Sequence, residues 1–180
     1  QTINLDNPAY TYTEGLPSHD VSIFDIDPTV ITTVRNNGDS ATTVDVSPFV
    51  NLNILLVYDN LLTTLDVTNN NSLIYISFSG NSLTSIDLSQ NLALEKLFTN
   101  GNQLATIDLS QNTLIDYLRV QDNQLPASEI DQLLVDLDNH GVSNGSLDYS
   151  NNPGESSLTT LTAYNSLISK GWTIIGTPPS

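Results

Sequence analysis

The chain has 180 residues, no cysteine, and 20 acidic against 4 basic residues, for a formal net charge of −16 at pH 7. That balance argues against nucleic acid and anionic membrane surfaces as partners, and no apolar run approaches the ~18 residues needed to span a bilayer. Without cysteine the stability must come from packing, and the length suffices for one domain with a continuous core.

The chain opens at Gln1 rather than Met and shows no signal peptide, as expected of a processed or trimmed product from which an export signal can already have been removed. Residues 1–40 read as an N-terminal cap ending in a degenerate coil. Alternation in Tyr10–Thr13 and Val21–Ile26 predicts short strands over the opening coil. Ile31 and Val34 then fill apolar places, Asn36 replaces a third, and Asp39 stands where later coils carry Asn. Lost apolar positions suit an end whose outer face meets water.

From 41 to 124 the chain repeats every 21 residues, four times: ATTVDVSPFVNLNILLVYDNL, LTTLDVTNNNSLIYISFSGNS, LTSIDLSQNLALEKLFTNGNQ and LATIDLSQNTLIDYLRVQDNQ. Such a period means a solenoid, in which no unit buries its apolar face alone. Each unit holds the spacing L-x-x-L-x-L-x-x-N-x-L, for example Leu94, Leu97, Thr99, Asn102, Leu104 and Ile115, Leu118, Val120, Asn123, Leu125. The alternation turns those side chains inward on a short strand and the residues between them outward. The recurring Asn60, Asn81, Asn102 and Asn123 stand where the chain leaves the strand, and their amides can satisfy turn groups of their own and the adjacent coil.

Residues 125–176 depart from the period as a helix-containing C-terminal repeat and cap. Ile130, Leu133, Leu134 and Leu137 in PASEIDQLLVDLDNHG have helical spacing, with Pro126 at the start and Gly141 as stop. GSLDYSNNP restores the strand, a second helix is predicted over Glu155–Ser169 with Leu158, Leu161, Tyr164, Leu167 and Ile168 toward the core, and Trp172–Ile175 reads as a closing strand. Residues 177–180, Thr-Pro-Pro-Ser, look like the start of a linker.

Over roughly residues 31 to 152 the pattern resembles the leucine-rich repeat, in the short form of secreted bacterial surface proteins, internalin-like in the broad sense. The resemblance implies a leucine-rich repeat solenoid: a curved, right-handed, β-rich coil stack with a parallel concave sheet, short convex strands or turns, and one or two C-terminal helices as cap. It also implies a secreted or cell-surface location and adhesion or host interaction. No helical front cap of the internalin kind is expected from the sequence, and the period is 21 residues rather than that family's 22.

Across the coils, the outward positions form columns. The first reads Thr33, Ile54, Tyr75, Lys96, Tyr117, Ser146; the second Arg35, Leu56, Ser77, Phe98, Arg119, Asp148; the third Asn37, Tyr58, Ser79, Asn100, Gln121, Ser150. Three of the four cations fall in the first two columns, beside Ile54, Leu56, Tyr75, Phe98 and Tyr117, which are expected to be exposed. Aromatic residues and arginine with few acids compose an interaction surface. The expected partner is therefore a protein bound by Arg35, Ile54, Leu56, Tyr58, Tyr75, Lys96, Phe98, Tyr117 and Arg119. Glycan binding through Tyr75, Phe98 and Tyr117 with Asn100 and Gln121 is the alternative, and a passive spacer role is another. Cross-strand aromatic pairs can also serve the sheet alone.

A further column repeats Thr43/Asp45, Thr64/Asp66, Ser85/Asp87 and Thr106/Asp108. Stacked carboxylates repel, so hydrogen bonds from nearby hydroxyls and amides are expected to relieve Asp45, Asp66, Asp87 and Asp108; a row of weak calcium sites is the alternative. No other cofactor is implied. His19 and His140 lie in an end segment and a loop, no nucleophile elbow, phosphate loop or zinc signature is present, and no enzyme is expected. The sequons at Asn70 and Asn144 read as accidental.

Overall fold

The computed structural model describes residues 2–4, 29 and 31–180; the strands expected at Tyr10–Thr13 and Val21–Ile26, and His19, lie outside them. Eight parallel strands form one sheet in chain order: β1 (Thr2–Asn4), β2 (Thr33–Arg35), β3 (Ile54–Leu56), β4 (Tyr75–Ser77), β5 (Lys96–Phe98), β6 (Tyr117–Arg119), β7 (Ser146–Asp148) and β8 (Thr173–Ile175). Each central residue sits beside its equivalent one coil away: Val34, Leu55, Ile76, Leu97, Leu118, Leu147 and Ile174 in a row. The expected register is the observed one.

The interior is a single column of stacked side chains. Leu55, Ile76, Leu97 and Leu118 of the strands meet Leu62, Leu83 and Leu104 from the following turns, all fully buried. Burying each such side chain stabilises the fold by roughly 1.5–3 kcal/mol.

Polar groups bind coil to coil. Asn81 donates through Nδ2 to the carbonyls of Val57 (2.9 Å) and Phe78 (2.9 Å), while its Oδ1 accepts the Leu62 N–H (2.9 Å). Asn60, Asn102, Asn123 and Asn152 repeat that arrangement. The residue before each of these asparagines is left-handed: Asp59, Gly80, Gly101, Asp122 and Asn151 all have positive φ. At Gly80 a Cβ would press on the exposed tip of the Asp59 side chain, which would have to swing aside, and glycine takes the positive φ without cost.

A second ladder, which the sequence reading did not single out, runs along the convex side. Asn70, Asn91 and Asn112 are wholly buried, and each Nδ2 bridges to two carbonyls of the preceding coil. In the first full coil Phe49 occupies that place and receives the Asn70 bond on its own carbonyl. The sequon at Asn70 is therefore closed to a glycan.

Helix α1 (Ala127–His140) lies where its spacing predicts and buries Ile130, Leu133, Leu134 and Leu137, with left-handed Gly141 closing it. His140 ends this helix rather than occupying a loop. The second expected helix is corrected. A 3-10 turn at Glu155–Ser157 stops at extended, buried Leu158, and α2 spans only Leu161–Ser169. Leu158 inserts into the core, and the Asp131 carboxylate takes the amide N–H groups of Thr159 and Thr160, so this stretch leaves helical geometry. Leu161 and Ile168, expected inside, are 43% and 46% exposed as a result. The tail is tied at Thr177, whose N–H donates to Glu155 and whose carbonyl accepts the Tyr149 hydroxyl.

Candidate functional site

Because every strand is shifted by one coil, the side chains between the buried rows stack into columns on the opposite, concave face. Thr33, Ile54, Tyr75, Lys96, Tyr117 and Ser146 are successive partners, as are Arg35, Leu56, Ser77, Phe98, Arg119 and Asp148. The structure thus brings all nine expected partner-binding residues onto one surface, with Tyr58 two residues beyond Leu56 in the third column.

Their exposure differs from the expectation. Lys96 and Arg35 are exposed, while Ile54, Tyr58, Tyr75, Phe98, Tyr117 and Arg119 are half-buried. Leu56 is only 6% exposed and offers a partner almost nothing. It lies between Ile54 and Tyr58 on its own chain and beside Arg35 and Ser77 on the neighbouring strands.

The aromatic residues form a ladder across three strands. Phe98 on β5 meets Tyr75 on β4 and Tyr117 on β6, both at 5.2 Å between ring centroids and with planes at 75° and 60°. Edge-to-face pairs of this kind add about 0.5–1.5 kcal/mol beyond buried area. Arg119 completes the ladder: its guanidinium carbon stands 4.7 Å from the Tyr117 ring centroid, and Nη2 donates to the Tyr117 hydroxyl at 2.8 Å. Asp148, one coil on in the same column, faces Nη1 at 4.0 Å. It is already engaged by the N–H and hydroxyl of Ser150. Asp148 was visible in the column but not recognised as the counter-ion of Arg119. At the other end burial pushes the Tyr75 hydroxyl above its ordinary pKa, with Tyr58 adding to the rise and Arg35 opposing it.

The acidic row follows the hydrogen-bonding expectation. Oδ1 of Asp45, Asp66, Asp87 and Asp108 each accepts the N–H of the residue two positions on, at 2.9 Å. The amide and hydroxyl of Ser89 hold Asp87 below the usual carboxylate range despite opposing fields from Asp66 and Asp108, and Thr68 and Ser110 do the same for Asp66 and Asp108. Among the described residues no three His, Cys, Asp or Glu side chains converge, and no described helix is long and apolar enough to cross a membrane.

A stack of one-strand coils, a parallel sheet in chain order and asparagine turns defines a leucine-rich repeat solenoid, and that is the fold of this chain. Solved structures agree. An internalin, InlF, from Listeria monocytogenes matches with a TM-score of 0.68 at 21% identity, covering 84% of this chain and 44% of its own. A leucine-rich repeat protein of Leptospira interrogans matches at 0.63 and 20%, covering 82% and 43%. The functional domain of InlJ from Listeria monocytogenes, described as including a cysteine ladder, matches at 0.51 and 26%, covering 73% and 34%. This chain has no cysteine and stacks asparagines instead. It spans less than half the length of each of these solved chains. No family model and no curated protein sequence matches it.

Proposed function

We propose that the chain is a non-catalytic recognition module, secreted or displayed at a cell surface, that binds a protein partner through the concave face of its sheet. One observation carries this reading: the ladder of Tyr75, Phe98, Tyr117 and Arg119 lies half-exposed on a face that also holds Lys96 and Arg35. Aromatic rings and arginine in a partly desolvated patch are the usual anchors of protein interfaces, and six strands at ~4.8 Å make a face roughly 25 Å across. The internalin-like repeats support an extracellular setting and a part in adhesion or host contact. The row of Asp45, Asp66, Asp87 and Asp108 stays hydrated and metal-free on this reading, since each carboxylate already takes an amide of its own turn.

The test is a screen of the intact chain against protein and glycan arrays, repeated with Phe98, Tyr117 and Arg119 all replaced by alanine. Loss of protein capture in a triple variant that keeps its circular dichroism spectrum is expected. Undiminished capture by the folded variant would move the site off this face.

A further inference from the structure

Charge on the concave face is unevenly satisfied, and the imbalance points to the chemistry of the partner. Lys170 is held by Asp138 at 2.6 Å. Arg119 is committed to the Tyr117 hydroxyl and ring and faces Asp148. Lys96 is exposed and, among the described residues, makes no hydrogen bond or ion pair. Its direct neighbours across the sheet are Tyr75 and Tyr117, and Phe98 lies two residues along its own strand. None of the chain's 20 acidic residues falls in the three columns across β2–β6, although acids outnumber bases five to one overall. Glu95 precedes Lys96 on its strand and Asp116 precedes Tyr117 on the next, yet neither forms an ion pair with it. An unpaired ammonium group with aromatic neighbours pairs well with an incoming anion, because the rings displace water and weaken screening.

Ring geometry narrows the choice of macromolecule. A sugar stacks on the open face of a ring, whereas the 75° and 60° angles leave Phe98 wedged between two tyrosines. Edge-to-face rings present an uneven apolar surface rather than a flat platform, and such a surface suits branched aliphatic side chains better than a sugar ring. Accepting the concave face as the binding surface, we propose that its partner is a protein segment presenting an Asp or Glu carboxylate to Lys96, with an aliphatic side chain beside it packed on the Tyr75–Phe98–Tyr117 ridge.

Panning a phage library of random linear peptides against the intact chain tests this. Recovered peptides are expected to share an acidic residue next to Leu, Ile or Val. The affinity of the best of them falls roughly tenfold or more in Lys96→Gln, survives in Lys96→Arg, and is lost in Phe98→Ala; Lys96→Glu selects basic peptides instead. Acid-free peptides, or tight binding to Lys96→Gln with none to Phe98→Ala, would overturn the carboxylate assignment and leave the concave face standing. Peptides that bind both variants as well as the native chain would overturn the two together. Recovery of no peptide overturns the proposal, and a glycan that binds the native chain but not Phe98→Ala would put a sugar in the partner's place.

Discussion

The concave sheet face and the convex turn side are built from the same repeats, yet they obey opposite rules. On the convex side each coil restates its neighbour: Asp66, Asp87 and Asp108 in their turns, Asn70, Asn91 and Asn112 beneath them. On the concave face no two neighbouring coils of β2–β6 agree, and a single column runs Arg35, Leu56, Ser77, Phe98, Arg119. The difference follows from what each side chain bonds. A ladder asparagine bridges to backbone carbonyls one coil back, two of the three reaching the carbonyl of the previous ladder asparagine itself, so the residue must recur for the chain of contacts to continue. Concave side chains meet across coils through unlike pairs, such as Arg119 facing Asp148 or Phe98 between two tyrosines, so no residue has to recur and the columns are free to vary with a partner. Repetition marks stacking, and variation marks recognition.

The largest effects should come from the asparagine ladders. Asn102→Ala leaves the Leu83 N–H without a partner and takes one of two amide donors from each of the Phe78 and Thr99 carbonyls, which keep Asn81 and Asn123, and should lower unfolding free energy by about 3 kcal/mol. Asn91→Ala takes one of two donors from the Val67 and Asn70 carbonyls, which keep the N–H groups of Asn70 and Leu73, and removes an Oδ1 that had no partner, so a smaller loss of about 2 kcal/mol is expected. Equal losses in urea titrations would show that the two ladders are interchangeable. On the concave face Arg119→Met should cost about 1 kcal/mol, from one hydrogen bond and one cation–π contact. A larger loss would make the aromatic ladder a structural element first.

The acidic row should give the smallest effect, because its carboxylates are exposed and bond only within their own turns. Folding lowers the pKa of Asp66, Asp87 and Asp108, so the unfolded chain takes up protons first. The stability they contribute is complete above roughly pH 4 and is lost as pH falls through their lower folded values. Asp87→Asn should leave stability at pH 7 nearly unchanged and make the acid-side decline shallower. A chelator should leave the melting temperature where it was, and a clear rise on adding calcium would restore the metal reading of this row.

Much of this was legible in the residues. A strict 21-residue period fixed which side chains face each other across strands, because a one-residue slip would turn every apolar group outward. Exposure was less legible: Leu56 holds an outward register position yet is buried, and burial depends on packing rather than on register. The split before α2 was hidden because Leu158 keeps helical spacing with Leu161, while the group that breaks the helix, Asp131, comes from another element. The convex ladder carried a plain signal, an asparagine as the fifth residue of the DLSQN-type segments, outweighed by the leucine pattern around it.

The asparagine bridges have a mechanical consequence. Each joins one coil only to the next, and none of the bridges described spans two coils or ties the ends together. Stretched between its termini, as a tether in flowing fluid would be, such a stack is expected to give way one turn at a time, in small, nearly equal steps of force. The module would then act as a yielding spring rather than a brittle link, lengthening under load while the coils still stacked hold their shape.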